Sequence, residues 1–297
     1  MGSRFLHGVS FISMVIIQEV SFAEMRVLIT GASRGIGRAV ARRFAERFGS
    51  DLIVGLVARS NSTPVHASLD GSLRDTARDV ERHGSIALRL PVNLRDASAV
   101  RASVSHFLHV AGGLDVLVHN ASALVPNARK QAEDKSMSLL YEANTRGTLV
   151  CLDACRGALL ESPRTGSIVT VSPPIRMGRL DWLSTYGVPY TISKYSMTLA
   201  TLAEARADRL RANCLWPRHM VCTAATERLE RLGAVPGAYT YGRNPADVAD
   251  AIVRLAVDDT HRNAQCVFDD DVVPLSPTHS PLDAYAQERV PASLRRM

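Results

Sequence analysis

The chain has 297 residues, 46% hydrophobic and 22% charged, which excludes a disordered or fibrous protein and leaves room for one large α/β domain. The net charge of +6 comes from basic residues scattered among acids, as in "RRFAERFGSD" and "RDTARDVERHG". No run of basic residues alternates with aromatics, so no nucleic-acid partner is expected. The five cysteines, Cys151, Cys155, Cys214, Cys222 and Cys266, form no CxxC and have no second ligand pair. Reduced thiols are expected, with neither a disulfide framework nor a metal.

In chain order, residues 1–24 come first. "FLHGVSFISMVI" is an apolar stretch behind Arg4, and "SFA" resembles a small-residue cleavage site. This extension reads as a targeting segment or as a superfluous upstream start. It is too short and too polar for a stable membrane span. From Met25 short apolar runs alternate with amphipathic ones. "RVLIT" (26–30) reads as a strand and "GIGRAVARRFAERFG" as a helix. "LIVGLVA" (52–58) is the second strand, followed by the helix "GSLRDTARDVERHG" and the third strand "SIALRLPV". "DASAVRASVSHFLHVAGG" is helical, "LDVLVHNA" (114–121) is the fourth strand, and one long helix is expected over 131–161. "GSIVTVS" (166–172) is the fifth strand, a helix follows near 188–207, and "LRANCLW" (210–216) is the sixth strand. "NPADVADAIVRLAVD" opens with a cap and proline as a late helix, and "QCVFDD" is the last strand. Strands apolar on both faces and separated by helices predict a single doubly wound Rossmann-type parallel sheet with helices on both faces. The domain is expected over 25–270, with a C-terminal tail at 271–297. In such a sheet ligands bind beyond the carboxyl ends of the strands.

"TGASRGIG" (30–37) stands between the first strand and its helix. Gly31 permits the tight turn, Gly35 allows the backbone to approach a phosphate, and Gly37 lets helix and strand pack closely. The helix N-terminus offers N–H groups to a pyrophosphate, so this turn reads as a dinucleotide site. The second strand ends "VARS", with Arg59 where an acid would bind a ribose hydroxyl. Arg34 sits in the turn itself. Two guanidiniums suit a 2′-phosphate, which favours NADP(H) over NAD.

"YTISK" places Lys194 four residues after Tyr190, on the same helix face. Only three lysines occur in this arginine-rich chain, Lys130, Lys135 and Lys194. A cation beside a phenol favours phenolate, so Lys194 is expected to lower the Tyr190 pKa.

Together "TGASRGIG", "HNAS", "EANTRG", "VSPP" and "YTISK" resemble the short-chain dehydrogenase/reductase family over about residues 25–270. "HNAS", "NTRGT", "VSPP", "YTISKY", "LWPR" and "TAA" before a helix resemble its hydroxysteroid dehydrogenase-like branch, whose lipid-carrier domain has no counterpart in this sequence. The resemblance implies an oxidoreductase that moves hydride between NADP(H) and a ketone or secondary alcohol, with an apolar, fatty-acyl or steroid-like carbonyl as substrate. It implies Tyr190 as proton donor, Lys194 as holder of the nicotinamide ribose, Ser172 as hydrogen bonder to the carbonyl oxygen and Asn144 as anchor of a relay water. Ser33 and Ile36 belong to the turn. Asn120 and Ala121 would line the cofactor, Asn93 and Leu94 would lie beside the adenine, and Pro217 and Thr223 would reach the nicotinamide.

The sequence departs from the family pattern in places. His119 and Ser122 replace Asn and Gly of "NNAG", and Asn93 replaces the usual aspartate. The Ser172–Tyr190 spacing is long, which leaves Ser184 as an alternative to Ser172. A non-catalytic NADPH-binding sensor or scaffold is the alternative function. The resemblance also implies a homodimer or homotetramer paired through the helices near 131–161 and 188–207. Cytoplasmic residence is expected, with mitochondrion or peroxisome as alternatives.

Overall fold

The structure, a computed structural model, describes residues 25–63, 70–125, 130, 132–173, 187–234, 236–258 and 262–273. The extension, the tail beyond residue 273, Ser184 and most of the loop before Tyr190 lie outside them. Seven parallel strands form one sheet: β1 (Met25–Thr30), β2 (Leu52–Ala58), β3 (Ile86–Pro91), β4 (Val116–His119), β5 (Gly166–Val171), β6 (Leu210–Trp216) and β7 (Cys266–Phe268). Their order is β3-β2-β1-β4-β5-β6-β7. The order reverses direction at β1/β4, where a doubly wound sheet opens its ligand crevice.

Helices cover both faces. On one lie α1 (Gly35–Phe48), α2 (Leu73–Glu81) and the later α8 (Pro245–Val257). The stripe Gly37, Val40, Ala41, Phe44 and Ala45 turns α1 toward the sheet at helical spacing. It packs with Val27, Ile29, Val54 and Ile252 in one core. The other face carries α3 (Ala97–Ala111), α4 (Asp134–Leu140), α5 (Gly147–Leu160) and α6 (Val188–Glu204). There Val104, Phe107, Leu152 and Leu159 pack on Leu28, Ile53, Leu117 and Ile168. Fully burying a side chain such as Phe44 or Phe107 stabilises the fold by about 1.5–3 kcal/mol.

The structure differs from the sequence reading at several strand ends and in one helix; β5 stops at Val171 and β7 at Phe268. β4 stops at His119, so Asn120 and Ala121 are already loop. The long helix expected over 131–161 is divided: a π-helical segment, Tyr141–Arg146, separates α4 from α5. The wider turn accommodates the fully buried Asn144.

Beyond β6, the short helix α7 (Ala224–Arg231) precedes α8, and α9 (Asp269–Val272) follows β7. Arg218 ties the loop after β6 to this last segment. Its backbone N–H donates to Asp269 at 2.9 Å, its Nε to Asp270 at 2.6 Å and its Nη2 to Asp271 at 2.7 Å. Its guanidinium lies 4.0 Å over the Phe268 ring, and buried Arg243 pairs with the Asp269 carboxylate.

Among the described residues no helix is long and apolar enough to cross a membrane. The outer surfaces of α4, the π segment, α5 and α6 expose Met137, Tyr141, Leu149, Val188, Ile192 and Leu199.

Candidate active site

The glycine turn opens one end of a cleft of about 550 Å³ along the carboxyl edge of the sheet. That size is ample for a bound organic ligand. Gly31 has φ +71° and donates its N–H to Val57 O at 2.8 Å. A Cβ at Gly31 would meet Asn120 Nδ2 at 2.7 Å, and one at Gly37 would meet Gly31 O at 2.3 Å. Gly37 is therefore the packing glycine, and it does not line the cleft, whereas Gly31, Ser33, Arg34, Gly35 and Ile36 do.

Helices α2, α3, α7 and α8 begin with capping side chains from Ser72, Asp96, Thr223 and Asn244. Helix α1 has no side-chain cap and no acid in its first turn. Its N-terminal N–H groups thus face the cleft without an anionic partner from their own helix, which fits a phosphate. Arg34 and Arg59 both line this end. Burial and then the charge of Arg59 lower the Arg34 pKa, so the two guanidiniums are close enough to repel and together draw an anion. The glycine cradle, the uncapped helix and the arginine pair fit the phosphates of a dinucleotide.

Asn93, Leu94, Asn120, Ala121, Pro217 and Thr223 also line the cleft. Asn120 is fixed by its Nδ2 donating to Thr30 O at 3.1 Å, and the Asn120 and Ala121 N–H groups both donate to Thr30 Oγ1. The Thr223 hydroxyl caps α7 and packs its methyl on Gly35 at the position a Cβ would need. Its oxygen is therefore engaged in the cap rather than extended into the cleft.

Farther along, Tyr190 and Lys194 project from α6, 9% and 2% exposed. The Lys194 ammonium donates to Val171 O at 2.6 Å and lies 5.5 Å from the Trp216 ring centroid. The expectation that this cation lowers the phenol pKa is not met. Burial pushes Tyr190 up to about 12, opposed by a hydrogen bond with the Ser122 side chain. Burial brings Lys194 down to about 7, opposed by the charge of Cys214. Near neutrality the phenol keeps its proton, the form needed to donate one.

Ser172 is not gathered into this group. It is fully buried, does not line the cleft, and its Oγ has no hydrogen-bond partner of good geometry. Its hydroxyl acts instead on Cys214 of β6, in the layer under α6. The reason is strand alternation: Val171 lines the cleft, so its neighbour faces the other way.

Asn144 is also set back from the cleft. Its Nδ2 donates to Ala123 O at 2.9 Å and to Ser193 Oγ at 2.9 Å, while its Oδ1 accepts from Ala123 N at 2.6 Å. Ser193 Oγ in turn donates to Tyr190 O at 2.7 Å. The side-chain amide is thus a clamp between the loop after β4 and α6. The Asn144 backbone carbonyl accepts from Thr148 Oγ1 at 2.5 Å.

Two residues that the sequence reading treated as departures have defined places. His119 is fully buried, with Nδ1 3.1 Å from Thr30 Oγ1 and Nε2 2.9 Å from Thr148 Oγ1. Thr30 Oγ1 already accepts two backbone N–H groups, so its proton points to Nδ1 and the ring carries hydrogen on Nε2. Ser122 lines the cleft beside Tyr190. Among the described residues no cluster of metal-binding side chains occurs, and all five cysteines are free.

Comparison with known proteins identifies the family. The short chain dehydrogenase profile matches residues 25–231. The mouse protein named hydroxysteroid dehydrogenase-like protein 2 is 35% identical over 205 residues, covering 68% of this chain and 40% of its own length. The human protein of that name is 32% identical over 249 residues, covering 83% and 57%. The chain therefore spans less than two thirds of these curated relatives. A short chain dehydrogenase structure from Mycobacterium thermoresistibile superimposes with a TM-score of 0.72 at 32% identity, covering 85% of this chain and 87% of that one. With a doubly wound parallel sheet, a glycine cradle at β1 and the Tyr190–Lys194 pair on α6, the chain belongs to the short chain dehydrogenase family.

Proposed function

We propose that the protein is an NADP(H)-dependent oxidoreductase that interconverts a ketone and a secondary alcohol. The observation that carries this reading is one cleft with the glycine turn, Arg34 and Arg59 at one end and Tyr190 with Lys194 at the other. When bound, the nicotinamide supplies or accepts the hydride. The chain's own residues hold and protonate. The uncapped α1 terminus and the arginine pair bind phosphates, and Tyr190, neutral below about 12, gives its proton to the substrate oxygen. Lys194 holds the ribose. Structural neighbours from Mycobacterium paratuberculosis and Burkholderia cenocepacia, which share only the fold, contain NAD and NADP respectively. The choice of NADP(H) therefore rests on Arg34 and Arg59. Leu124, Leu139, Met220 and Leu229 line the cleft near Tyr190, which supports an apolar carbonyl substrate. The exposed apolar residues of α4–α6 support a homodimer or homotetramer.

Parallel fluorescence titrations with NADPH and NADH test the cofactor. Binding of NADPH at least tenfold tighter is expected, and binding of neither would overturn the reading. The buried, averted Ser172 favours one alternative, a protein that binds NADPH without turnover. Tyr190→Phe separates the two: in the enzyme it abolishes carbonyl-dependent NADPH oxidation and leaves NADPH affinity within about twofold.

A further inference from the structure

A carbonyl oxygen that is to be protonated by Tyr190 needs a second hydrogen-bond donor to stabilise its developing charge. The serine at the end of β5 does not provide one, because Ser172 Oγ is buried away from the cleft. The loop after β4 does carry a hydroxyl at the right place. Ser122 lines the same cleft as Tyr190, Leu124 and Lys194, and its hydroxyl lies near enough to the phenol to draw the Tyr190 pKa downward against burial.

Its position is built, not incidental. On one side the Ala121 N–H is held by Thr30 Oγ1 at 3.1 Å. On the other, both backbone groups of Ala123 are held by the Asn144 side chain, at 2.6 and 2.9 Å. Asn144 is itself fastened through Ser193 to the backbone carbonyl of Tyr190. The loop that carries Ser122 and the helix that carries Tyr190 are therefore locked to one another through a single buried amide. A fixed donor beside the proton source costs no reorganisation when charge develops.

We propose that Ser122, and not Ser172, is the catalytic hydroxyl that works with Tyr190 on the substrate oxygen. This rests on the oxidoreductase reading above. As the carbonyl carbon is reduced by the dinucleotide, the π electron pair of the C=O bond passes to oxygen, to which Ser122 donates a hydrogen bond. The Tyr190 O–H bond then breaks, its proton joins that oxygen to complete the alcohol, and the phenolate recovers a proton from water.

The test uses the full chain, NADPH and 9,10-phenanthrenequinone as the carbonyl probe, with wild type, Ser122→Ala, Ser122→Thr, Ser172→Ala and Tyr190→Phe compared. Ser122 is exposed to the cleft, so its alanine variant leaves the core intact. Ser122→Ala is expected to lower kcat about 100–1000-fold, the usual cost of one such donor, with NADPH affinity within about twofold. The threonine variant, which keeps the hydroxyl, recovers at least a tenth of wild-type kcat. Ser172→Ala stays within about threefold of wild type. If Ser122→Ala retains more than a third of wild-type kcat while Tyr190→Phe is inactive, this proposal fails and the enzyme reading stands. If Ser172→Ala loses as much as Ser122→Ala was expected to, the proposal fails in the same way. A wild-type protein that binds NADPH but never oxidises it overturns the enzyme reading and this proposal with it.

Discussion

Lys194 is a strained residue, and removing it should stabilise the fold. The unfolded chain keeps the lysine proton up to 10.5, whereas burial makes the folded protein release it at about 7. Unfolding between those values takes up a proton, so the folded state loses stability as pH falls from 10.5 to 7, and the cost is complete below 7. The interval from 10.5 to about 7, at about 1.4 kcal/mol per pH unit, amounts to ~5 kcal/mol. Lys194→Met keeps the side-chain volume and removes that cost. It also removes the 2.6 Å bond to Val171 O, a loss of about 1–2 kcal/mol for a buried acceptor. Urea denaturation of both proteins at pH 6.5 and pH 9.5 measures the balance. The methionine variant should be more stable by ~3–4 kcal/mol at pH 6.5 and about equal at pH 9.5. It should also be inactive. A stability difference independent of pH, or a variant less stable than wild type at pH 6.5, would refute the reasoning.

Gly37→Ala places a methyl group 2.3 Å from the Gly31 carbonyl oxygen. Thermal unfolding should show a loss of about 1–3 kcal/mol, and NADPH affinity should fall more than tenfold as the turn is pushed outward. Unchanged NADPH binding would show that the cradle is not where the phosphates sit. Ile192 and Leu199, 62% and 59% exposed on α6, are the other target. Replacing both by glutamate should leave a 32.2 kDa monomer in sedimentation velocity, whereas the wild type sediments at two or four times that mass. A wild type that sediments as a monomer would remove the apolar surface as an interface.

The features legible in the sequence were those whose meaning is local. "TGASRGIG" required only a strand before it and a helix after it. Tyr190 and Lys194 meet because four residues make about one helical turn. The apolar runs mark the central strands most clearly, because both faces of β2, β4 and β5 are buried. The features that were not legible depend on packing between distant segments. Nothing in "YEANTR" marks a π turn, which exists because Asn144 must reach both Ala123 and Ser193. Whether Ser172 faces the cleft depends on a single step of strand alternation at the point where β5 ends, which composition does not reveal. Ser122 reads in the sequence as a departure from the common family pattern, because its approach to Tyr190 depends on the Asn144 clamp, which stands 22 positions after Ser122 and 46 before Tyr190. The signal available was the coincidence of an added hydroxyl with an asparagine able to pin its loop.

The Arg218 clip bears on the order in which the chain can take shape during synthesis. The cradle for the phosphates draws on β1, β2 and α1, which are among the first elements to be made. The loop after β6, which closes the opposite end of the cleft, is held by carboxylates 51 to 53 positions later. Until the ribosome has delivered Asp271, that loop lacks its carboxylate clip and rests on its backbone pairing with Arg243, so part of the entropy of closing it is not yet offset. The two ends of one binding cleft are therefore completed at different times, the phosphate end early and the end beside Trp216 and Pro217 nearly last.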